Sequence, residues 1–119
     1  MTHKFKDAGL LTWLENQPDE TLDNTDFGIV KMDGKGTVLF YNKAESKISG
    51  LSKESAIGKH FFTEVAPCTN NFMVAEKYKK ETLDEELPYI FSYITKPTPV
   101  NLRLLKGVTG NQYLLVERT

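Results

Sequence analysis

The sequence predicts an α+β fold: one antiparallel sheet of five strands, with helices inserted between the second strand and the third. Three observations predict it. Residues 27–42, "FGIVKMDGKGTVLFYN", read as a hairpin closed by a glycine-rich turn. Residues 89–119 read as three short strands separated by "KPTP" and "GN" turns. Between these blocks stand helix caps and helical spacing in place of strand alternation. A chain of 119 residues suits a single domain with a substantial core.

Residues 7–17 open the chain as a helix, because Leu10, Leu11, Trp13 and Leu14 make an apolar stripe at helical spacing. Pro18 and the acidic residues after it break that pattern. In the hairpin, Val30 and Met32 share one face, and Val38, Leu39, Phe40 and Tyr41 form the return strand. Asp33 to Gly36 supply the turn, where glycine makes positive φ cheap. Asn42 caps the next helix, Glu45 follows at capping-box spacing, and Gly50 ends it. Ser52 caps a second short helix ending near Gly58. "KHFFTEVAP" adds a further turn or two, stopped by Pro67. A longer helix is expected over residues 72–83, with "EKYKKE" on its wet face. Strands over residues 89–95, 100–107 and 112–118 complete the sheet.

The closing strands are apolar on both faces: Tyr89, Phe91 and Tyr93 alternate with Ile90 and Ile94. A sheet with one wet face would alternate more cleanly. Both sides therefore need covers. The inserted helices cover one face, and a helical cap within residues 1–26 covers the other, over a core of residues 27–119.

Lysine plus arginine number 15 and aspartate plus glutamate 16, for a formal charge of -1. No basic excess points to nucleic acid or anionic lipid. The single cysteine excludes an internal disulfide. No apolar run has signal-peptide or membrane-spanning character. The expectation is a soluble, monomeric, cytoplasmic domain.

Few residues carry chemistry. Cys68 follows Ala66 and Pro67 and precedes the polar Thr69-Asn70-Asn71. A lone cysteine is commonly a small buried hydrophobe; the alternative is a nucleophile or an attachment point. His60 is the nearest histidine in sequence, and nothing pairs it with Cys68. Two histidines and one cysteine support no zinc site. Glu45 reads as a capping-box residue or as a buried acid. Tyr41 reads as an edge aromatic or as a hydrogen-bond donor, and Ser49 is the helix-face neighbour of Glu45. Phe61, Phe62, Tyr89, Phe91 and Tyr93 suit a core or a pocket wall equally. "DGKG" lacks the spacing and lysine of a phosphate loop.

Together, "FGIVKMDGKGTVLFYNKAESKISG", "IGKHFFTEVAPCT" and "YIFSYITKPTP" resemble the photoactive yellow protein family, blue-light receptors with the PAS fold. The resemblance runs from Phe27 to the C-terminus. It implies a five-stranded PAS sheet and a p-coumaric (4-hydroxycinnamic) acid chromophore held on Cys68 as a covalent thioester. It further implies that Tyr41 and Glu45 hydrogen-bond the phenolate, that Ser49 supports Tyr41 where relatives have threonine, and that Val30, Phe61, Ala66, Pro67 and Phe91 wall the pocket. Light would turn the chromophore from trans to cis, Glu45 would yield its proton, and partial unfolding would signal to a downstream protein. No enzymatic activity is implied. The alternatives are a PAS-type module for another ligand or a protein partner, with a structural cysteine, and a thiol enzyme. The last lacks a base and its orienting group.

Two positions depart from the family pattern. Leu51 stands where an arginine covers the chromophore; leucine donates no hydrogen bond, so shielding there must be apolar or another group must swing in. Thr95 stands where a methionine is linked to thermal return, so dark recovery is expected to be slow. Flash spectroscopy checks this: rapid return, with Thr95→Met no faster, would contradict it.

Overall fold

The computed structural model describes residues 4–92 and 97–119. In chain order it holds helices α1 (Leu10–Glu15) and α2 (Asp19–Leu22), strands β1 (Gly28–Met32) and β2 (Val38–Tyr41), and helices α3 (Lys43–Ser49) and α4 (Lys53–Ala56). A wide π turn follows at Phe61–Val65, then tight 3-10 turns at Pro67–Thr69 and Ala75–Lys79. Strands β3 (Leu83–Phe91), β4 (Thr98–Lys106) and β5 (Gln112–Arg118) close the chain. The sheet order is β2-β1-β5-β4-β3, and all pairs are antiparallel. No helix of the described residues is long and apolar enough to cross a membrane.

Local chemistry sets the hairpin and the first helices after it. Asp33 Oδ1 accepts the N–H groups of Lys35 and Thr37, and Gly36 takes the positive φ, 91°. The Asn42 side chain accepts the Glu45 N–H at 2.9 Å, and Gly50 ends α3 in the left-handed region. Ser52 caps α4 through the Ser55 N–H.

The structure corrects three expectations. The opening helix is shorter than residues 7–17, and the stretch read as a break is itself helical: Pro18 sits at the N-cap of α2. The helix over 72–83 is absent. Asn71 Oδ1 takes the N–H groups of Met73 and Val74, and only the short turn Ala75–Lys79 follows. Tyr78, read as part of the wet face, is buried and donates to Tyr113 O at 2.6 Å; its burial pushes the phenol well above its usual range. Strand β3 begins at Leu83 instead of residue 89. Leu83 and Phe91 are buried at its ends, while Asp84, Glu86, Pro88 and Ile90 point to solvent. Pro88 fits because β3 is an edge strand, where a missing N–H costs nothing. Tyr93, Ile94 and Thr95 lie outside the described residues.

Two apolar clusters sandwich the sheet. One packs Val30, Met32, Leu102 and Leu114 against Phe61, Phe62 and Val65. The other packs Ile29, Phe40, Leu105 and Leu115 under Phe5, Leu10, Leu14 and Leu22. Helices of six and four residues are far too short to persist alone. The N-terminal cap is therefore held by docking.

Polar latches complete that docking. Arg103 is only 5% exposed. Its guanidinium donates to the carbonyls of Phe5 (2.9 Å) and Asp7 (2.7 Å) and pairs with both carboxylate oxygens of Asp84. Glu15 accepts from Thr109, from Tyr113 (2.9 Å) and from Asn111. Partial burial pushes the Glu15 carboxyl up. Those three hydrogen bonds and the Lys31 ammonium outweigh it, holding the group below the usual carboxylate range. The Tyr113 phenol is pushed up by burial, then by its bond to Glu15 and the carboxylate charge. A depressed folded value means that Glu15 stabilises the docked cap fully above the ordinary value of 4.5. That contribution is lost as pH falls through the lower folded value. Trp13, the single tryptophan, lies on the cap. Its fluorescence should report the loosening below pH 4.5, and Glu15→Gln should flatten that acid dependence. An unchanged acid profile in the variant would show that Glu15 does not hold the cap.

Candidate functional site

Tyr41 ends β2, and α3 begins two residues later, so the hairpin delivers Tyr41, Glu45 and Ser49 to one place. All three are buried, with Tyr41 and Glu45 at 0% exposure. The Tyr41 hydroxyl donates to Ser49 Oγ at 2.7 Å, and Ser49 Oγ also accepts the Leu51 N–H at 3.1 Å.

Only half of the capping-box reading of Glu45 survives. Its N–H does meet the Asn42 side chain, but the Asn42 N–H that a capping glutamate would take is bonded to Ile29 O. The Glu45 carboxyl turns inward toward β1. Gly28 makes room for it: a Cβ at Gly28 would collide with Glu45 Oε1 and lie 3.1 Å from Glu45 Cα. A glycine inside a strand is a sequence signal of such close approach.

Asn42 does more than cap α3. It is fully buried, and Oδ1 accepts from the N–H groups of both Ile29 and Glu45. Nδ2 donates to Leu22 O, Thr25 Oγ1 and Phe27 O. One amide therefore joins the helix bearing Glu45 to the segment that leads out of the cap.

Cys68 lies in the turn Pro67–Thr69, half-buried. It packs against the same core cluster that contains Tyr41, Val30, Phe61, Ala66 and Phe91. Pro67 is exposed, so of the expected wall it alone points away. Leu51 packs at the margin of this cluster, placing an apolar side chain there. The Cys68 carbonyl accepts from Tyr89 (2.5 Å) and Asn71 (3.1 Å). Thr69 is bonded back to Ala66 O through both N–H and hydroxyl. His60 lies elsewhere: Nε2 would be 2.9 Å from a Cβ at Gly36, and the ring meets Phe62 edge-on. That orientation lends nothing to a Cys-His pair. Gly28, Asn71 and the wider role of Asn42 escape a reading by motif, because each acts through residues distant in sequence.

The structure thus holds a buried acid at Glu45, a buried phenol at Tyr41 with the Ser49 hydroxyl behind it, and a thiol packed against the core cluster that contains Tyr41. The PAS fold family matches residues 16–97. The photoactive yellow protein of Rhodothalassium salexigens is 31% identical over 114 residues, covering 92% of this chain and 91% of that protein. That of Halochromatium salexigens is 36% identical over 104 residues, covering 84% and 83%. The photoactive yellow protein domain of the sensor histidine kinase Ppr from Rhodospirillum centenum superposes with a TM-score of 0.82 at 29% identity, covering 90% of this chain and 98% of that domain. The chain belongs to the photoactive yellow protein family and has the PAS fold.

Proposed function

We propose that the chain is a blue-light photoreceptor in which Cys68 carries p-coumaric acid as a thioester. One observation carries this reading: buried Tyr41, bonded to Ser49, belongs to the core against which Cys68 packs, and buried Glu45, four residues on, turns its carboxyl toward Gly28 of β1. The bound 4-hydroxycinnamoyl group supplies a conjugated phenolate that absorbs blue light and a double bond that turns from trans to cis.

The protein's own groups set the conditions for that chemistry. A buried phenolate is costly unless it is hydrogen-bonded, and charge-assisted donors offset much of the cost. Tyr41 is one donor. Ser49 Oγ already accepts from Leu51 N–H, so its own proton is available to the Tyr41 oxygen when the Tyr41 hydroxyl turns inward. Glu45 is the other donor and must be neutral in the dark, since a second buried anion alongside would repel the first. Val30, Phe61, Ala66 and Phe91 keep water away, and Leu51 takes the place of an arginine cover with an apolar one.

After illumination Glu45 would pass its proton to the phenolate oxygen of the bound group, leaving a neutral phenol and a carboxylate. The carboxylate left behind costs several kcal/mol in an apolar site, against a whole-domain stability of roughly 5–15 kcal/mol. Its helix shares Asn42 with the carbonyls of Leu22 and Phe27, so strain at α3 bears on the cap. The cap loosens, and the bared outer sheet face is the signal. The chain acts as a sensor, with no enzymatic turnover of its own. It works as a cytoplasmic monomer that signals to a separate protein, and its dark recovery is slow.

Glu45→Gln tests the proton donor. The variant keeps a hydrogen bond but cannot be left as a carboxylate. Its absorption should shift, and its light-induced change in Trp13 fluorescence should fall sharply. Light-difference infrared spectra matching those of the parent would show that Glu45 is not the donor.

A further inference from the structure

The Cys68 carbonyl receives two donors: the Tyr89 hydroxyl at 2.5 Å and Asn71 Nδ2 at 3.1 Å. Asn71 Nδ2 also donates to the Tyr89 oxygen at 2.7 Å, closing a ring of three residues. Asn71 Oδ1 meanwhile accepts the N–H groups of Met73 and Val74. Two donors and two acceptors use the full capacity of that amide, so its orientation is fixed. Both lone pairs of the Cys68 carbonyl are engaged as well.

Tyr89 is no loop residue. It sits within β3, paired with Val100 of β4, and its ring meets Phe91 edge-on at 6.2 Å. The turn bearing the cysteine is thus tied to the sheet edge by hydrogen bonds that the packing of Cys68 as a hydrophobe does not require. A thiol that merely filled a gap would need no fixed carbonyl. A thiol that carries a group through a change of shape does, because a loose turn would absorb the motion.

We propose that Tyr89 and Asn71 are positioning residues for Cys68: they clamp its carbonyl to β3, so that a push on the cysteine side chain reaches the sheet. The proposal rests on Cys68 being the attachment point. Tyr89→Phe removes the hydroxyl and keeps the ring. Asn71→Asp keeps the acceptor for Met73 and Val74 and removes the Nδ2 donors, so it separates clamping from turn formation.

The experiment uses the full-length chain, labelled with cysteine bearing carbon-13 in its carbonyl. With one cysteine, only position 68 is marked. In the unacylated protein, the labelled infrared band should move to higher frequency in both variants as the carbonyl loses a donor. Alkylation of Cys68 by iodoacetamide should quicken about fivefold, the factor for about 1 kcal/mol of lost hydrogen bonding. After reaction with activated 4-hydroxycinnamate, the variants should differ from the parent in absorption maximum and dark recovery, and light should change Trp13 fluorescence less. A band that stays put in both variants overturns the clamp. A band that moves while absorption, recovery and the Trp13 response match the parent overturns the positioning role and leaves a structural bond. If the parent itself takes up no acyl group, the attachment reading fails and the positioning role falls with it. If the parent is acylated and coloured but the variants match it, the positioning role alone falls.

Discussion

Asn42→Ala should cost about 3–5 kcal/mol in urea unfolding, from a lost helix cap and buried partners left unsatisfied at about 1–3 kcal/mol each. The N–H groups of Ile29 and Glu45 both lose their acceptor. Leu22 O and Phe27 O fare better, because Thr25 Oγ1 also reaches them. The loss should therefore fall mainly on β1 and α3. Asn42→Asp divides the two roles. It keeps oxygen acceptors for Ile29 and Glu45 and removes the donors to the linker, so α3 should persist while the Trp13 signal reports a looser cap. A loss below about 1 kcal/mol for Asn42→Ala would mean that water replaces the amide with little penalty, and the proposed coupling of α3 to the cap would lose its physical basis.

Gly28→Ala should be damaging for the opposite reason, as it adds an atom where Glu45 already stands. The new Cβ collides with Glu45 Oε1 and presses on Glu45 Cα and Cβ, both at 3.1 Å. Overpacking of this kind costs about 1–3 kcal/mol. It should also displace the Glu45 carboxyl and abolish or shift the absorption of the acylated protein. A double-mutant cycle with Glu45→Ala isolates the contact. In that background Gly28→Ala should cost much less, since only the helix backbone and Cβ remain to resist it. Strict additivity would show that Gly28 matters for some reason other than the room it gives Glu45.

Features set by neighbours in sequence were legible before the structure. The turn at Asp33 to Gly36, the caps at Asn42 and Ser52 and the stop at Gly50 depend on interactions a few residues apart. The cap over the outer face was expected and Leu10 and Leu14 do pack there, but its apolar floor comes from Leu105 and Leu115 of β4 and β5, while Ile90, read as part of that face, is exposed. The run over residues 72–83 misled, because "EKYKKE" suits the wet side of a helix, whereas Asn71 takes the N–H groups of Met73 and Val74 and Tyr78 is buried. The early start of β3 at Leu83 is set by long-range pairing with β4. At the site, Tyr41, Glu45 and Ser49 could be grouped from their spacing, and the Tyr41–Ser49 bond agrees. Pro67, expected in the pocket wall, is exposed, because which side of a tight turn faces the core depends on the chain packed against it. The wider contacts of Asn42 were hidden for the same reason: its partners at Leu22 and Phe27 are 20 and 15 positions away.

The most direct test is to mix the purified full-length chain with activated 4-hydroxycinnamate and take an absorption spectrum and an intact mass, beside Cys68→Ala treated identically. A dye-bearing thiol predicts a blue-absorbing product, heavier by one acyl group, in the parent and not in the variant. A colourless parent of unchanged mass, or equal colour and mass gain in both, would contradict it.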